Sequence, residues 1–395
     1  MALRIAIVSD YYYPQLGGIT EQVHGQATEL TRRGHEVTVI APRLLVVPRT
    51  VDPEPPPVNF EIQRIGVAYP SYVNGSETLQ TLSPRIPLAL DRLFRERGFD
   101  VLHVHNPFGV MFPMSAIMRS RASVTVATTH SVVPADYRLL RTFARPLTAL
   151  LRRVDAHIAV SKAVVDSFRP YFPELTFEVI ANGVDTTFFS PNAEPLPHLA
   201  GGRNILFVGR FDPRNGLKHM LGAFVELRRR RSDVRLVVLG DGPMRPLLKR
   251  LVPPELAADV RFEGRVNRLR PRYLASAEIF CTPCRLASFG MVVLEAMSCA
   301  TPVVATRLPG FAEVMEDGVH GLMVDEPDNV LGFVAALESL LEYPQRAQAL
   351  GQAGRERVMT TFAWSRVGDS LEELYTRLLA ARSARQSTSL AASRG

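Results

Sequence analysis

The stretch that decides the fold class opens the chain: RIAIVSDYYYPQLGGITEQVHGQATELTRRGHEVTVIA, residues 4–41. Its first part, Arg4–Ser9, is a short run rich in β-branched residues, and a turn-rich loop follows at Tyr11–Gly18. Gln22–Arg33 then has the apolar spacing of a helix, and His35–Ala41 is the next apolar strand. Strand, loop, helix and strand in this order are the βαβ unit of a parallel sheet that is buried on both faces.

The same alternation of strands and helices continues beyond this unit. It predicts further strands at Asn59–Ile65, Val101–His105, Val124–Thr129, His157–Val160 and Phe177–Ile180. Prolines and glycines cluster over residues 190–202, and the alternation then restarts with strands predicted at Ile205–Val208, Leu236–Leu239, Val260–Glu263, Ile279–Cys281, Pro302–Thr306 and Gly321–Val324. We therefore predict an α/β protein with two Rossmann-like doubly wound domains, residues 1–195 and 200–362. Such sheets bind ligands at the carboxyl ends of their strands, so the cleft between the domains is the predicted site.

The composition agrees with a globular protein of two domains. The chain has 395 residues, of which 46% are hydrophobic and 22% are charged, which excludes disordered and collagen-like proteins. No apolar run approaches the 18 residues that a membrane-spanning helix needs. Three cysteines in a chain of this length indicate a reducing compartment, so we expect a cytoplasmic protein.

The positive charge is concentrated in two zones. The formal net charge is +7, and 43 of the 46 basic residues are arginine, a preference that a GC-rich genome alone would explain. Residues 201–285 carry 18 basic and 8 acidic residues, a net of +10, and residues 85–153 carry 11 against 4, a net of +7. Residues 286–395 carry 9 against 13, a net of −4. Zones of this size suit phosphate ligands or an anionic surface.

Two short motifs stand at predicted strand ends. Gly17 and Gly18 open the first helix, where glycine lets backbone N–H groups approach a phosphate or a sugar, although such glycines also serve simply as turns. Arg210 follows the first strand of the second domain, where its guanidinium could bind a diphosphate; the alternative is a surface arginine on a loop.

Two further candidates lie beside these motifs. A helix predicted over Met291–Met297 begins after Ser288, and its unpaired N–H groups and positive dipole end suit an anionic group. Glu295 in this helix could accept hydrogen bonds from a ribose diol, or it could be a solvated surface side chain. His130, at the end of a predicted strand, could bond a sugar hydroxyl or be structural.

Histidine and cysteine spacings do not predict a metal site. His103 and His105 alternate along one strand and so face the same side, but no carboxylate or cysteine stands at ligand spacing. Cys281 and Cys284 form a single C-x-x-C without a second pair, so we expect two buried thiols.

Taken together and in this order, the motifs resemble glycosyltransferase family 4, which has the two-domain GT-B fold. The matching strings are GG (17–18), RGHEV (33–37), NGVD (182–185), VGR (208–210), GDGP (240–243), SFGMVVLEAM (288–297) and PVVAT (302–306), followed by Gly310 and Glu313. Within the family, YVNGS (72–76), FDVLHVH (99–105) and VATTH (126–130) are most similar to bacterial phosphatidylinositol mannosyltransferases.

The resemblance implies retaining transfer of a hexose from a nucleotide diphosphate sugar, GDP-mannose or a UDP-hexose, to a lipid or glycan acceptor, without a bound metal or a permanent cofactor. Protein groups must then neutralise the leaving diphosphate. It implies that the first domain binds the acceptor, that the second binds the donor, and that a helix at 363–384 crosses back before a tail at 385–395. The residues that it assigns to sugar or nucleotide are Gly17, Gly18, His130, Arg210, Phe289, Gly290, Met291 and Glu295.

Several positions depart from the family pattern. Asn215 replaces the phosphate-binding lysine and Ala287 replaces the first glutamate of the Glu-x7-Glu motif, while Pro309 and Ala300 replace glycines. Losing one charged diphosphate contact costs about 2–4 kcal/mol of leaving-group stabilisation. Two hypotheses follow. Either Arg214 or Arg285 substitutes for the lost groups and the enzyme is active, or the chain is a degenerate transferase that binds nucleotide, lipid or a protein partner without turnover.

The segment 84–97 suggests a partner beyond the donor. Leu90, Leu93 and Phe94 fall on one face of its predicted helix with arginines beside them, which is the pattern of an interfacial helix on anionic lipid. A helix packed on the sheet with exposed arginines is the alternative. The first hypothesis predicts a peripheral protein at the inner face of the plasma membrane. Donor base, donor sugar and acceptor stay open, Thr20 stands where lipid-modifying relatives carry glutamine, and no nucleic-acid-binding motif is present.

Overall fold

The computed structural model describes residues 2–47, 49–52, 56–73, 76–109, 111–134 and 136–392. Of the sequence motifs, Asn74 and Gly75 of the YVNGS string lie outside these residues, as do the last three residues of the predicted tail. The chain forms two sheets with helices on their faces, which confirms the predicted α/β class and its two doubly wound units.

The first sheet has eight strands in the order β4-β3-β2-β1-β5-β6-β7-β8, and only β3 and β4 pair antiparallel. Its strands are β1 Arg4–Val8, β2 Glu36–Leu44, β3 Glu61–Val73, β4 Ser76–Thr81, β5 Val101–His105, β6 Val124–Thr129, β7 Ala156–Ala159 and β8 Phe177–Val179. The intervening helices are α1 Gly18–Arg32, α2 Ile86–Arg97, α3 Phe112–Arg119, α4 Arg138–Leu151 and α5 Lys162–Phe168. β1, β5 and β6 are fully buried apart from Arg4, as their continuous apolar sequences require.

The second sheet has six parallel strands in the order β11-β10-β9-β12-β13-β14. Its strands are β9 Arg203–Val208, β10 Val234–Leu239, β11 Val260–Gly264, β12 Ile279–Thr282, β13 Val303–Thr306 and β14 Leu322–Val324. Its helices are α6 Leu217–Arg230, α7 Arg245–Lys249, α8 Arg270–Ala275, α9 Met291–Ser298, α10 Pro309–Ala312, α11 Val330–Glu342 and α12 Pro344–Arg357. The strand order changes direction at β9 and β12, where an open α/β sheet binds its ligands.

The last helix, α13 Trp364–Ala392, returns to the first sheet, where it packs on α1 and β6. The Trp364 indole fills the space beside Gly25, where an added Cβ would lie 2.2 Å from the ring. Tyr375 is fully buried, and its hydroxyl contacts Gln26 and His103. The helix therefore extends beyond residue 384, and residues 385–392 of the predicted tail continue it.

The helix α2 corrects the membrane hypothesis drawn from segment 84–97. Leu90 is 0% exposed and Phe94 is 3% exposed, because both pack into the core on one face of the first sheet together with the partly buried Leu93. The predicted lipid-facing side chains therefore cannot reach a lipid, and the amphipathic pattern of α2 reflects packing on the sheet. The residues that the structure describes contain no helix that is long and apolar enough to cross a bilayer.

Candidate active site between the two sheets

The two sheets meet through the loops at the carboxyl ends of their strands. Ser288, which follows β12, accepts a hydrogen bond at Oγ from the backbone N–H of Val132 after β6 (2.9 Å). Its backbone carbonyl accepts another from the Ser161 hydroxyl after β7 (2.6 Å). Glu313 accepts a third from the backbone N–H of Lys162 (3.0 Å). These contacts bring the family-like motifs of both halves to one cleft.

The start of α9 faces the glycines at the start of α1. Gly290 caps α9 with φ 119°, a conformation that favours glycine, and no side chain caps the first N–H groups of the helix. An added Cβ at Gly18 would lie 3.2 Å from Cγ of Met291, so the absence of a side chain lets α1 and α9 approach. An added Cβ at Gly17 would have no atom within 4 Å. The Phe289 side chain is 3% exposed and packs against Phe362, so Phe289 could reach a ligand only through its backbone.

Glu295 is buried, which excludes the solvated surface side chain as an interpretation of its sequence position. It is 1% exposed, its Oε1 accepts a hydrogen bond from Arg270 (2.8 Å), and its Oε2 has no partner. Burial raises the pKa of Glu295 to about 7, against the opposing effect of Arg270. Arg270 also donates to Glu21 of α1 (2.8 Å) and therefore links the two domains.

Sequence reasoning missed Arg270. It lies within the basic zone 201–285, but no motif distinguishes it from its neighbours. Only burial marks it, because its side chain is 13% exposed and contacts a carboxylate from each domain. A buried arginine with two carboxylates is a strong electrostatic link that also orients Glu295.

Arg210 lies on a loop that folds around Asp212. Asp212 accepts hydrogen bonds from the backbone N–H of Arg214 (3.0 Å) and from the Asn215 side chain (2.8 Å), and its other oxygen is 3.4 Å from Arg210. Asn215 also donates to the Arg210 carbonyl (3.1 Å). The Arg285 N–H donates to the Arg214 carbonyl (2.7 Å), so the three arginines share one edge of the cleft.

Arg214 and Arg285 differ in their surroundings. Arg214 is half-buried, and burial lowers its pKa, while Arg285 is exposed with one nitrogen 3.5 Å from His219. The Ala287 carbonyl lies 2.3 Å from where a Cβ of Gly310 would stand, so Gly310 is needed for the close approach of these two loops. The cationic edge therefore borders the loop in which the family glutamate is replaced.

His130 lies at the end of β6, buried to 8% exposure. Its Nε2 is 2.7 Å from Nδ1 of His105, and its Nδ1 has no hydrogen bond of standard geometry. Burial lowers the pKa of His130 to about 4, opposed by the neighbouring Asn182 side chain, so the ring is neutral at pH 7. His103 and His105 share one face of β5 as predicted, with ring centroids 4.8 Å apart.

No metal site emerges from the side chains that the structure describes: none of them form a group of three or more His, Cys, Asp or Glu that could hold an ion. Cys281 and Cys284 are buried free thiols, as predicted. Burial raises the pKa of Cys284 to about 11, so it carries no charge at pH 7.

Comparisons with known proteins agree with the fold. Residues 16–188 match the family model described as Glycosyltransferase Family 4, and residues 202–343 match that described as Glycosyl transferases group 1. The chain is 31% identical over 382 residues to a phosphatidyl-myo-inositol mannosyltransferase of Mycolicibacterium smegmatis, covering 94% of this chain and 93% of that protein.

A second relative from the same organism, a GDP-mannose-dependent alpha-(1-6)-phosphatidylinositol monomannoside mannosyltransferase, is 29% identical over 400 residues, 96% of this chain and 99% of that protein. Among solved structures, Anabaena HepE in complex with UDP and glucose superposes with a TM-score of 0.73 at 17% identity, over 95% of this chain and 99% of that chain. Sucrose-phosphate synthase from Thermosynechococcus elongatus superposes with a TM-score of 0.71 at 21% identity, over 96% and 100%. The chain therefore belongs to glycosyltransferase family 4 and is a hexosyltransferase with the GT-B fold.

Proposed function

We propose that this enzyme transfers mannose from GDP-mannose to a phosphatidylinositol-type lipid, with retention of the anomeric configuration. The names of the two mannosyltransferase relatives specify this sugar and lipid class, one of them specifies GDP-mannose, and both align with nearly the whole chain. The observation that carries the proposal is the contact between Ser288, three residues before the first residue of α9, and Val132, two residues after His130. The start of the helix that the resemblance assigns to the donor diphosphate therefore lies close to the histidine that it assigns to the transferred sugar.

The role of each residue follows from its chemistry. Arg210 and the uncapped N–H groups of α9 neutralise the leaving diphosphate, since both are positive groups that follow the carboxyl ends of strands in the second sheet, β9 and β12. Glu295 accepts hydrogen bonds from the ribose through Oε2, the oxygen that Arg270 leaves unpaired. His130 donates to a hydroxyl of the transferred sugar. None of these roles requires a metal ion.

The lost lysine has a candidate replacement. Asn215 holds its own loop together and carries no charge, so it cannot neutralise a phosphate. Arg214 is half-buried and lies one residue before Asn215. The backbone N–H of Arg285 donates a hydrogen bond to the Arg214 carbonyl. An arginine side chain is longer than a lysine side chain, and its guanidinium group can bind phosphate with two hydrogen bonds. Arg214 and Arg285 together therefore supply the missing cation.

A second candidate function is nucleotide binding without turnover. Three observations favour it: Asn215 and Ala287 remove two charged contacts, and the Glu295 carboxylate is already engaged by Arg270. Under this alternative the cleft holds nucleotide or lipid, but the leaving diphosphate is not stabilised enough for transfer.

The test combines calorimetry and transfer assays with GDP-mannose, GDP-glucose and UDP-glucose, using phosphatidylinositol vesicles or soluble glycans as acceptors. We expect transfer only from GDP-mannose and only to the lipid, and we expect Arg210→Met to abolish it. The double variant Asn215→Lys with Ala287→Glu should then change kcat by less than about tenfold. A rise of about 10²–10³ from an inactive but GDP-binding wild type would favour the second candidate instead. Both candidate functions are refuted if neither the wild type nor the double variant binds a nucleotide.

We also infer a membrane-facing surface, which shares Arg85 and Leu88 with the segment 84–97 that the sequence suggested but does not use Leu90, Leu93 or Phe94. On the face of the first sheet that α2, α3 and α4 share, each helix carries a large apolar side chain that is exposed: Leu88 is 70% exposed, Met118 48% and Phe143 51%. Among the residues described, no carboxylate lies within 4 Å of the exposed arginines around them, which are Arg85, Arg119, Arg138, Arg141, Arg145 and Arg153. Unpaired cations around apolar side chains suit an anionic lipid surface. This supports peripheral attachment at the inner face of the plasma membrane.

Vesicle co-sedimentation tests this surface. The triple variant Arg138→Gln, Arg141→Gln and Arg145→Gln should bind phosphatidylglycerol-containing vesicles roughly 100-fold more weakly, at about 1 kcal/mol for each arginine. The matched control removes three exposed arginines of α13, Arg366, Arg382 and Arg385, and should bind like the wild type. Equal loss in both triples would indicate net charge rather than a surface, and equal pelleting with neutral phosphatidylcholine would refute the proposal.

A further inference from the structure

Three buried histidines form a row beneath the cleft. His103 and His105 on β5 are 0% and 1% exposed, and their rings are parallel within 12°. His105 Nδ1 lies 2.7 Å from His130 Nε2, with the two ring planes within 11° of each other and the centroids 5.0 Å apart. Nearly parallel rings joined at this N···N distance form one in-plane hydrogen bond, in which one nitrogen donates and the other accepts.

All three rings are neutral. Burial lowers the pKa of His103 to about 3 and that of His130 to about 4, and it lowers the pKa of His105 well below its usual value. A neutral imidazole carries one proton, so each ring has one donor and one acceptor nitrogen. The proton in the bond between His105 and His130 therefore decides which nitrogen of His130 remains a donor.

The surroundings of the two outer nitrogens select one arrangement. His105 Nε2 and His130 Nδ1 are both buried and have no hydrogen-bond partner of standard geometry among the described residues. His105 Nε2 lies in the core, where a proton would be an orphaned donor, the rarest unpaired group in proteins. The Asn182 side chain lies beside the His130 ring and favours a proton on it. An unprotonated His105 Nε2 therefore costs less free energy than a protonated one, and the proton is placed on His130 Nδ1.

We propose that His105 is a positioning residue that donates from Nδ1 to His130 Nε2 and so fixes the His130 proton on Nδ1. The bond also holds the His130 ring in the plane of the His105 ring. The His105 ring is itself held by stacking on His103, whose Nε2 is hydrogen-bonded to the Thr128 hydroxyl (2.6 Å). His130 then acts toward a sugar hydroxyl only as a hydrogen-bond donor and not as a base. This last step rests on the proposed function of His130, whereas the tautomer itself does not.

The tautomer can be measured without substrate. Long-range ¹H–¹⁵N NMR on the full chain labelled with [¹⁵N]histidine distinguishes protonated from bare ring nitrogens, and His105 and His130 are assigned by loss of signal in their variants. We expect Nδ1–H on both residues. A proton on Nε2 of either residue in the wild type would overturn the proposal, whatever the activity of the enzyme.

Amide substitutions give a matched pair of variants, because the asparagine amide stands near the place of Nδ1 and the glutamine amide near that of Nε2. His105→Asn should keep the His130 tautomer and a kcat within about threefold of wild type. His105→Gln should free the tautomer and lower kcat roughly 10- to 100-fold with little change in KM, the usual effect of losing a partner that orients a histidine. Equal kcat and an unchanged tautomer in both variants would refute the role of His105. If no variant folds, both rings are assigned by through-bond correlation to their backbone amides in uniformly ¹³C,¹⁵N-labelled protein, and the wild-type spectrum still decides the tautomer. If the wild type lacks transferase activity, the proposed function fails and the tautomer result still stands.

Discussion

Replacement of Arg270 by methionine should destabilise the protein strongly. Arg270 is the cation between Glu21 and Glu295, with both contacts at 2.8 Å and its side chain 13% exposed. Removing it leaves Glu295 1% exposed, with no opposite charge and neither carboxylate oxygen hydrogen-bonded. Breaking a buried pair in this way costs about 3–5 kcal/mol.

The protonation of Glu295 moderates that loss. The pKa of Glu295 is already about 7 with Arg270 present and must rise further without it. The carboxylate therefore takes up a proton near neutral pH, which removes part of the buried charge. We therefore expect a loss of about 3 kcal/mol at pH 7 that grows as the pH is raised. The double variant Arg270→Met with Glu295→Gln removes the buried Glu295 charge as well, leaves only the more exposed Glu21 without Arg270, and should recover at least half of the loss.

Urea unfolding followed by circular dichroism measures these differences. The control is Arg272→Met on the same helix, whose partner Glu194 lies 3.2 Å away and is 80% exposed, so the cost should stay below about 1 kcal/mol. If Arg270→Met costs no more than Arg272→Met, or if the double variant is no more stable than the single one, the interdomain link does not contribute as argued.

Three further substitutions test the backbone and the pH dependence. Ala300 has φ 55°, in the left-handed region, so Ala300→Gly should raise the free energy of unfolding by about 1 kcal/mol. The control Ala296→Gly, in the interior of α9, should lower it by at least about 1 kcal/mol. Thermal unfolding measures both, and equal effects of the two substitutions would contradict this prediction. Burial raises the pKa of Asp10 from 3.8 to about 7, so between these values the folded protein keeps a proton that the unfolded chain has lost. Stability should therefore fall as the pH rises through that window, by up to about 4 kcal/mol, and Asp10→Asn should flatten the slope of unfolding free energy against pH. An unchanged slope in the variant would show that Asp10 is not the titrating group.

Most of the order of strands and helices was predictable because it depends on local patterns, although the antiparallel edge strand β4 was not predicted. The apolar run of β1, the glycines before α1 and the repeat of this unit after residue 202 each constrain the chain nearby, and a parallel sheet is the arrangement that buries such strands on both faces. The cleft as the location of the site follows from the same topology. The burial of Cys281 and Cys284 was likewise predictable, because a single C-x-x-C without a second pair favours two buried thiols over a metal or redox site.

The environment of each polar side chain was not predictable in this way. The helical spacing of Leu90 and Phe94 is the same whether the apolar face packs on a sheet or on a lipid, and only the packing of α2 decided for the sheet. Glu295 could have been solvated, and its burial depends on Arg270, 25 residues away, and on Glu21 in the other domain.

Local sequence therefore determined the elements, their parallel order and the edge at which ligands bind, because propensity and hydrophobic period act over a few residues. Tertiary structure decided which side chains meet at that edge: the link of Arg270 between two carboxylates and the bond of His105 to His130. These contacts join residues that are 25 to 249 positions apart, and their charges and protons depend on burial that the whole fold creates.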